Sequence, residues 1–123
     1  MLYEFIKESK SGDEYLFFSF YVENPNEFMQ VFNFYSMEWD QERKRRGIHV
    51  KGIAPSNFKK FFREREKYID YKLVDFPVLT NISIFHDKVV FTPFRNKMVS
   101  FMITSEQLAD SFRTYFYSIW NNK

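Results

Sequence analysis

His86-Asp87-Lys88 is the pattern in this chain with the plainest chemical potential. A histidine two positions before a lysine can bring an imidazole nucleophile to phosphorus while the ammonium stabilises the phosphoryl oxygens. That chemistry needs a third group, an aspartate that follows the lysine after four intervening residues. Counting forward from Lys88 lands on Pro93. Counting backward from Asp87 places the lysine position on Ile82 and the histidine position on Thr80. Neither register supplies all three groups, and a phosphodiesterase without its nucleophile has no reaction to run. The chain is therefore expected to be non-catalytic. His86, Asp87 and Lys88 are expected to form a solvated hairpin turn in which Asp87 bonds local amides.

The remaining candidates are read in the same way. His49 has Lys51 nearby and no plausible metal partners, and a chain with two histidines and no cysteine does not make a zinc site. Arg43, Lys44, Arg45 and Arg46 could contact phosphates, but a solvated helix terminus stabilised by its own dipole explains all four charges. Lys59, Lys60, Arg63 and Arg65 alternate with Phe58, Phe61 and Phe62. Helical spacing around a buried Phe stripe explains that alternation without nucleic acid.

These side chains must be positioned by a fold, and hydrophobic periodicity outlines it. Leu2, Phe5 and Ile6 recur at helical spacing, and Ser11-Gly12-Asp13 stops the helix. Residues 15–22 are almost continuously apolar, which fits a strand buried between helix layers. Asn24-Pro25-Asn26-Glu27 is a helix start with a cap, a first-turn proline and a capping-box acid. Phe28, Val31, Phe32, Tyr35 and Trp39 then form one stripe. Gly47 follows the basic run as a left-handed cap. A short strand over 48–54 precedes a helix started by Ser56, and further strands are expected over 71–76, 80–85, 88–91 and 99–103. Thr104 with Gln107 reads as a second capping box, opening a helix that buries Leu108, Phe112, Tyr115, Phe116 and Ile119. The order describes an α/β sandwich with parallel first strands, since a long helix intervenes between them.

In open α/β sheets, ligands bind beyond the carboxyl ends of the strands. That edge carries Ser19, Phe20 and Tyr21 from the first strand, and Pro55 and Ser56 after the second. The loop containing Thr80 and Asn81 is placed to close over it. Aromatic platforms with a few hydroxyl and amide groups suit a polar, uncharged ligand.

Composition bounds the function classes. The 123 residues make one domain, and 17 Phe among 22% aromatic residues supply ample core. Eighteen Lys and Arg stand against 16 Asp and Glu, a balance too even to imply nucleic-acid or membrane binding through the global field. The absence of cysteine suits a reducing cytoplasm. No apolar run approaches the ~20 residues of a membrane span, and the acidic amphipathic N-terminus is unlike a secretion signal.

Taken in order, four stretches resemble the effector domain of TrmB-type transcription regulators over nearly the whole chain. They are Asp13-Glu14-Tyr15, the basic run through Gly47-Ile48-His49-Val50-Lys51, Ile82-Ser83-Ile84-Phe85-His86-Asp87-Lys88-Val89-Val90, and Leu108-Ala109-Asp110-Ser111-Phe112 through Trp120. The resemblance implies a phospholipase D-like half-fold, a mixed sheet flanked by helices, used for effector sensing and homodimerisation. It also implies a small-molecule effector such as a sugar, and no cofactor. DNA would be reached only through a winged helix-turn-helix domain, which family members carry N-terminally and which is missing from these residues. Two alternatives stand beside this reading: a degenerate phosphodiesterase that completes its site across a dimer, and a free-standing protein-interaction module.

Overall fold

Glu14-Tyr15-Leu16-Phe17-Phe18 is apolar on both faces, so it is stable only as a strand covered on both sides. That strand, β1 (Glu14–Phe18), lies at the heart of the fold. A computed structural model describes residues 2–19, 34–76, 78, 80–92 and 100–122. The expected helix start at Asn24, the stripe residues Phe28, Val31 and Phe32, and the candidate residues Phe20 and Tyr21 lie outside them.

The first helix, α1 (Leu2–Phe5), precedes β1. A π-helical turn, Tyr35–Trp39, runs directly into α2 (Asp40–Arg45). Next come β2 (His49–Pro55), a 3-10 turn (Ser56–Phe58), α3 (Lys59–Arg63) and β3 (Asp70–Val74). The chain closes with β4 (Asn81–Phe85), β5 (Lys88–Thr92), β6 (Phe101–Thr104) and α4 (Glu106–Trp120). The strands form one mixed sheet in the order β3-β2-β1-β4-β5-β6. Pairing is parallel from β1 through β2 to β3, as expected of strands separated by helical connections, and antiparallel from β1 through β4 and β5 to β6.

Alternation along the strands divides the core in two. Tyr15, Phe17, Val50, Ala54, Phe85 and Val90 face Trp39, Phe58, Phe62 and α1. Leu16, Phe18, Ile53, Ile84 and Val89 face α4, which contributes Ala109 and Phe116. The end of α2 is closed as expected. Gly47 takes a positive φ of 76°, Ile48 N–H donates to Arg43 C=O at 3.0 Å, and Gly47 N–H to Lys44 C=O at 2.9 Å. This is the Schellman arrangement that satisfies the last carbonyls of a helix.

Several expectations are corrected. Strand β1 ends at Phe18, and residues 20–22 of the expected strand lie outside the described ones. Thr104 is the last residue of β6, and Ser105 caps α4 by accepting the Leu108 N–H at 3.1 Å. The cap therefore sits one residue later than the Thr104–Gln107 pattern implied. Tyr115 is 54% exposed, because burial along α4 centres on Ala109 and Phe116 instead. Ser56 lies inside the 3-10 turn rather than capping a helix.

Gly52 shows how tightly the sheet is filled. It pairs with Phe17 across β1 and β2, and a Cβ built there would run into the Phe17 ring. That ring crosses the glycine to stack on Phe62, with centroids 6.1 Å apart. Gly52→Ala should therefore destabilise the protein by roughly 1–3 kcal/mol, as overpacking does. The urea midpoint should fall with the slope unchanged; an unaltered midpoint would contradict the packing.

Candidate functional site

A fully buried carboxylate persists only if cationic hydrogen-bonding partners compensate its lost hydration. Asp40, at the start of α2, is 0% exposed and has two such partners, Arg43 at 1% and Arg65 at 3%. Arg43, one helical turn on, donates from Nη2 to Asp40 Oδ1 at 2.5 Å. Arg65 enters from the turn beyond α3 and donates Nε to Oδ2 at 2.7 Å and Nη2 to Oδ1 at 2.9 Å. The second contact is the two-pronged fork in which guanidinium and carboxylate geometries match best.

One carboxylate thus serves two guanidiniums, and aromatic faces surround both. The Arg43 Cζ lies 4.6 Å from the Tyr15 ring centroid and 4.9 Å from that of Trp39. Arg65 lies 4.7 Å from Phe62 and 5.3 Å from Phe17. Such cation–π contacts gain strength where water is excluded. Burial pushes the Arg43 guanidinium below its ordinary pKa, while Tyr15 and Asp40 draw it back up. Burial likewise pushes the Tyr15 phenol up. Arg43 Nε, itself buried, finds no acceptor among the described residues.

Beside this cluster is a cavity of about 50 Å³, lined by Arg43, Arg65 and a set of polar groups. The sheet register explains which ones. Asn81 and Ser83 share a face of β4, Asn81 pairs with Thr92 on β5, and Phe17 pairs with Ser83. Ser19 follows directly after β1, its N–H bonded to Ile53 C=O at 2.8 Å. Ser19, Asn81, Ser83 and Thr92 therefore converge on the cavity, together with Tyr15. Thr92 also hydrogen-bonds the Ser100 hydroxyl at 2.9 Å.

Two of the sequence-derived site residues, Ser19 and Asn81, are brought together here at the carboxyl end of β1. Thr80 is half-buried just before β4, outside the described lining, and Ser56 is exposed beyond β2. Sequence reasoning missed Arg43, Arg65, Ser83 and Thr92. Arg43 is the largest correction: the sequence places it with its three neighbours at a solvated helix end, yet it is buried. A signal was present. The stripe Tyr35, Trp39 continues at helical spacing onto 43, and Phe58, Phe61 and Phe62 continue onto 65.

His86 and Lys88 do not share a site. His86 takes a left-handed φ of 55° in the turn between β4 and β5, and its Nε2 lies 2.7 Å from Asp13 Oδ2. Lys88 donates to Asp87 Oδ1 at 2.9 Å. The Lys10 amide, and then His86, hold the Asp13 carboxyl below its ordinary range. Among the described residues, no three His, Asp or Glu side chains gather where a metal ion could sit. No helix among them is long and apolar enough to cross a membrane.

Asp40→Asn leaves two buried guanidiniums without a carboxylate and should cost about 3–5 kcal/mol, a large part of a domain's stability. Replacing all three charges together (Asp40→Leu, Arg43→Met and Arg65→Met) should recover most of that loss in urea denaturation. A single variant costing under ~1 kcal/mol, the usual value of an exposed pair, would contradict the cluster's burial.

No protein-family model and no curated protein matches this chain. Among solved structures it is similar to TrmBL2, described as an archaeal chromatin protein whose structure shows a novel mode of DNA binding. The two superpose with a TM-score of 0.63 at 14% identity, over 96% of this chain and 46% of that one. The present chain thus spans under half the length of TrmBL2. At this identity the likeness is one of fold, to a TrmB-related protein.

Proposed function

We propose that this chain is a non-catalytic, effector-sensing and self-associating domain related to the effector domains of TrmB-type regulators, with their phospholipase D-like half-fold. The observation that carries the reading is the likeness to TrmBL2 over almost the whole chain. The polar cavity at the carboxyl end of β1, where open α/β sheets place ligands, gives the sensing part a location. In this reading DNA contact belongs to a separate helix-turn-helix domain. The competing phosphodiesterase reading would need His86 and Lys88 in one pocket, whereas each is engaged with a separate carboxylate.

Self-association has a specific surface. Strand β6 is the end strand of the sheet among the described residues, and all four of its residues are exposed. Phe101 is 57% and Ile103 43% exposed, with Met102 between them. An apolar edge strand is a template for pairing, and an antiparallel β6–β6 contact between two copies is self-complementary by symmetry. These exposed apolar residues support an interface through β6.

Sedimentation at high micromolar concentration should show a dimer, and Ile103→Lys should convert it to a folded monomer. A clean wild-type monomer would remove self-association. A generic phosphodiester substrate should remain intact; hydrolysis lost in His86→Ala would overturn the non-catalytic reading.

A further inference from the structure

The cavity next to the Asp40 cluster has the wrong chemistry for a purely neutral ligand. Arg43 lines it, is nine-tenths buried or more, and carries an Nε without an acceptor among the described residues. Its only hydrogen bond to Asp40 is made through Nη2, and Asp40 is shared with Arg65. A buried donor on a charged group that lacks a partner is uncommon enough to demand a cause, and a site for an anion is one of the few available. Hydroxyl and amide groups of Ser19, Asn81, Ser83 and Thr92 surround the same space. They can donate to an oxyanion and add no negative charge of their own.

Volume narrows the ligand further. A single water needs roughly 10–15 Å³ on the same scale. The described cavity, about 50 Å³, therefore matches a group of a few heavy atoms and is too small for a free hexose. We propose that this cavity binds a compact oxyanion, a phosphate or carboxylate group, with Arg43 as the charged floor and Asn81, Ser83 and Ser19 as hydrogen-bonding walls. The ligand is then either a free inorganic anion or the anionic head of a larger effector. This inference rests on the cavity being the sensing site proposed above and assigns that site an anionic ligand in place of a neutral one.

Removing Arg43 outright risks unfolding, so the test supplies a resident anion instead. Asn81→Asp places a carboxylate of nearly the same shape on the cavity wall, and Ser19→Asp does so at the adjoining strand end. Titration calorimetry with inorganic phosphate should show one site on the wild type, weakened about tenfold or more in each variant. Arg45→Ala, at an exposed arginine outside the cavity, should leave the affinity unchanged. Glucose 6-phosphate binding more tightly than phosphate assigns a head group, and equal or weaker binding assigns the free anion. Phosphate binding that ignores both aspartate variants, or that is lost in Arg45→Ala, overturns the proposal. Binding of glucose without phosphate overturns it while leaving the sensing reading intact; binding of none of the three overturns both.

Discussion

Asp40 is the constraint to which the surroundings of the cavity are referred. Its carboxylate is removed from water at a cost of several kcal/mol, and only the two guanidiniums that reach it make that burial tolerable. Those guanidiniums come from different elements: Arg43 from the same helix, Arg65 from the turn beyond α3. Satisfying one carboxylate therefore fixes α2 against the segment that follows α3. Both lie above Tyr15 and Phe17 of the central strand. The π-helical turn ends on Trp39, immediately before Asp40, so the widened helical segment abuts this point. Such turns recur near functional sites.

The opposite face is organised by different means. Helix α4 lies over Leu16, Phe18, Ile53 and Ile84, and its ends are held by polar contacts from elsewhere. The Ser105 N–H donates to Asp87 C=O at 2.7 Å, and Arg113 donates to the carbonyl of His86, fastening the β4–β5 turn to the cap and the middle of the helix. At the other end the last turn contains no basic residue, and Lys72 of β3 reaches the carbonyls of Ile119 and Trp120 at 2.9 and 3.3 Å. A cation there complements the helix dipole and satisfies free acceptors. Tyr117 accepts from Lys51 at 3.0 Å and donates to Glu14, linking α4 to β2 and β1. His86 and Asp87, which read as chemistry in the sequence, thus belong to a structural junction. The cavity lining includes no residue of β6.

Much of this was legible in the sequence because local physics dictates it. The doubly apolar run at 15–18 could only be a covered strand, and Gly47 after a basic helix end could only be a left-handed cap. The hairpin at His86 and Asp87 follows from two β-branched and aromatic runs separated by two polar residues. What was not legible depended on tertiary burial. Arg43 sits in a run of four cations, and only its place on the Tyr35–Trp39 stripe sets it apart from Arg45 and Arg46, which pair with Glu42. Arg65 meets Asp40 across 25 positions of sequence, a separation that periodicity cannot bridge. Ser83 and Thr92 carry no signal until the register brings them beside Asn81 and Ser19. Ser56 was given a ligand role by its place after the second strand, but the chain there turns outward.

A buried guanidinium with an unpartnered Nε lines a small polar cavity, and the anion site proposed there depends on it. The most direct measurement is the side-chain Nε–H resonance of Arg43, assigned by comparison with a variant and followed as inorganic phosphate is added. The expected result is a slowly exchanging signal, distinct from those of exposed arginines, that shifts downfield and saturates. A signal that exchanges as fast as that of Arg45, or that stays fixed while surface arginine signals move, would contradict it.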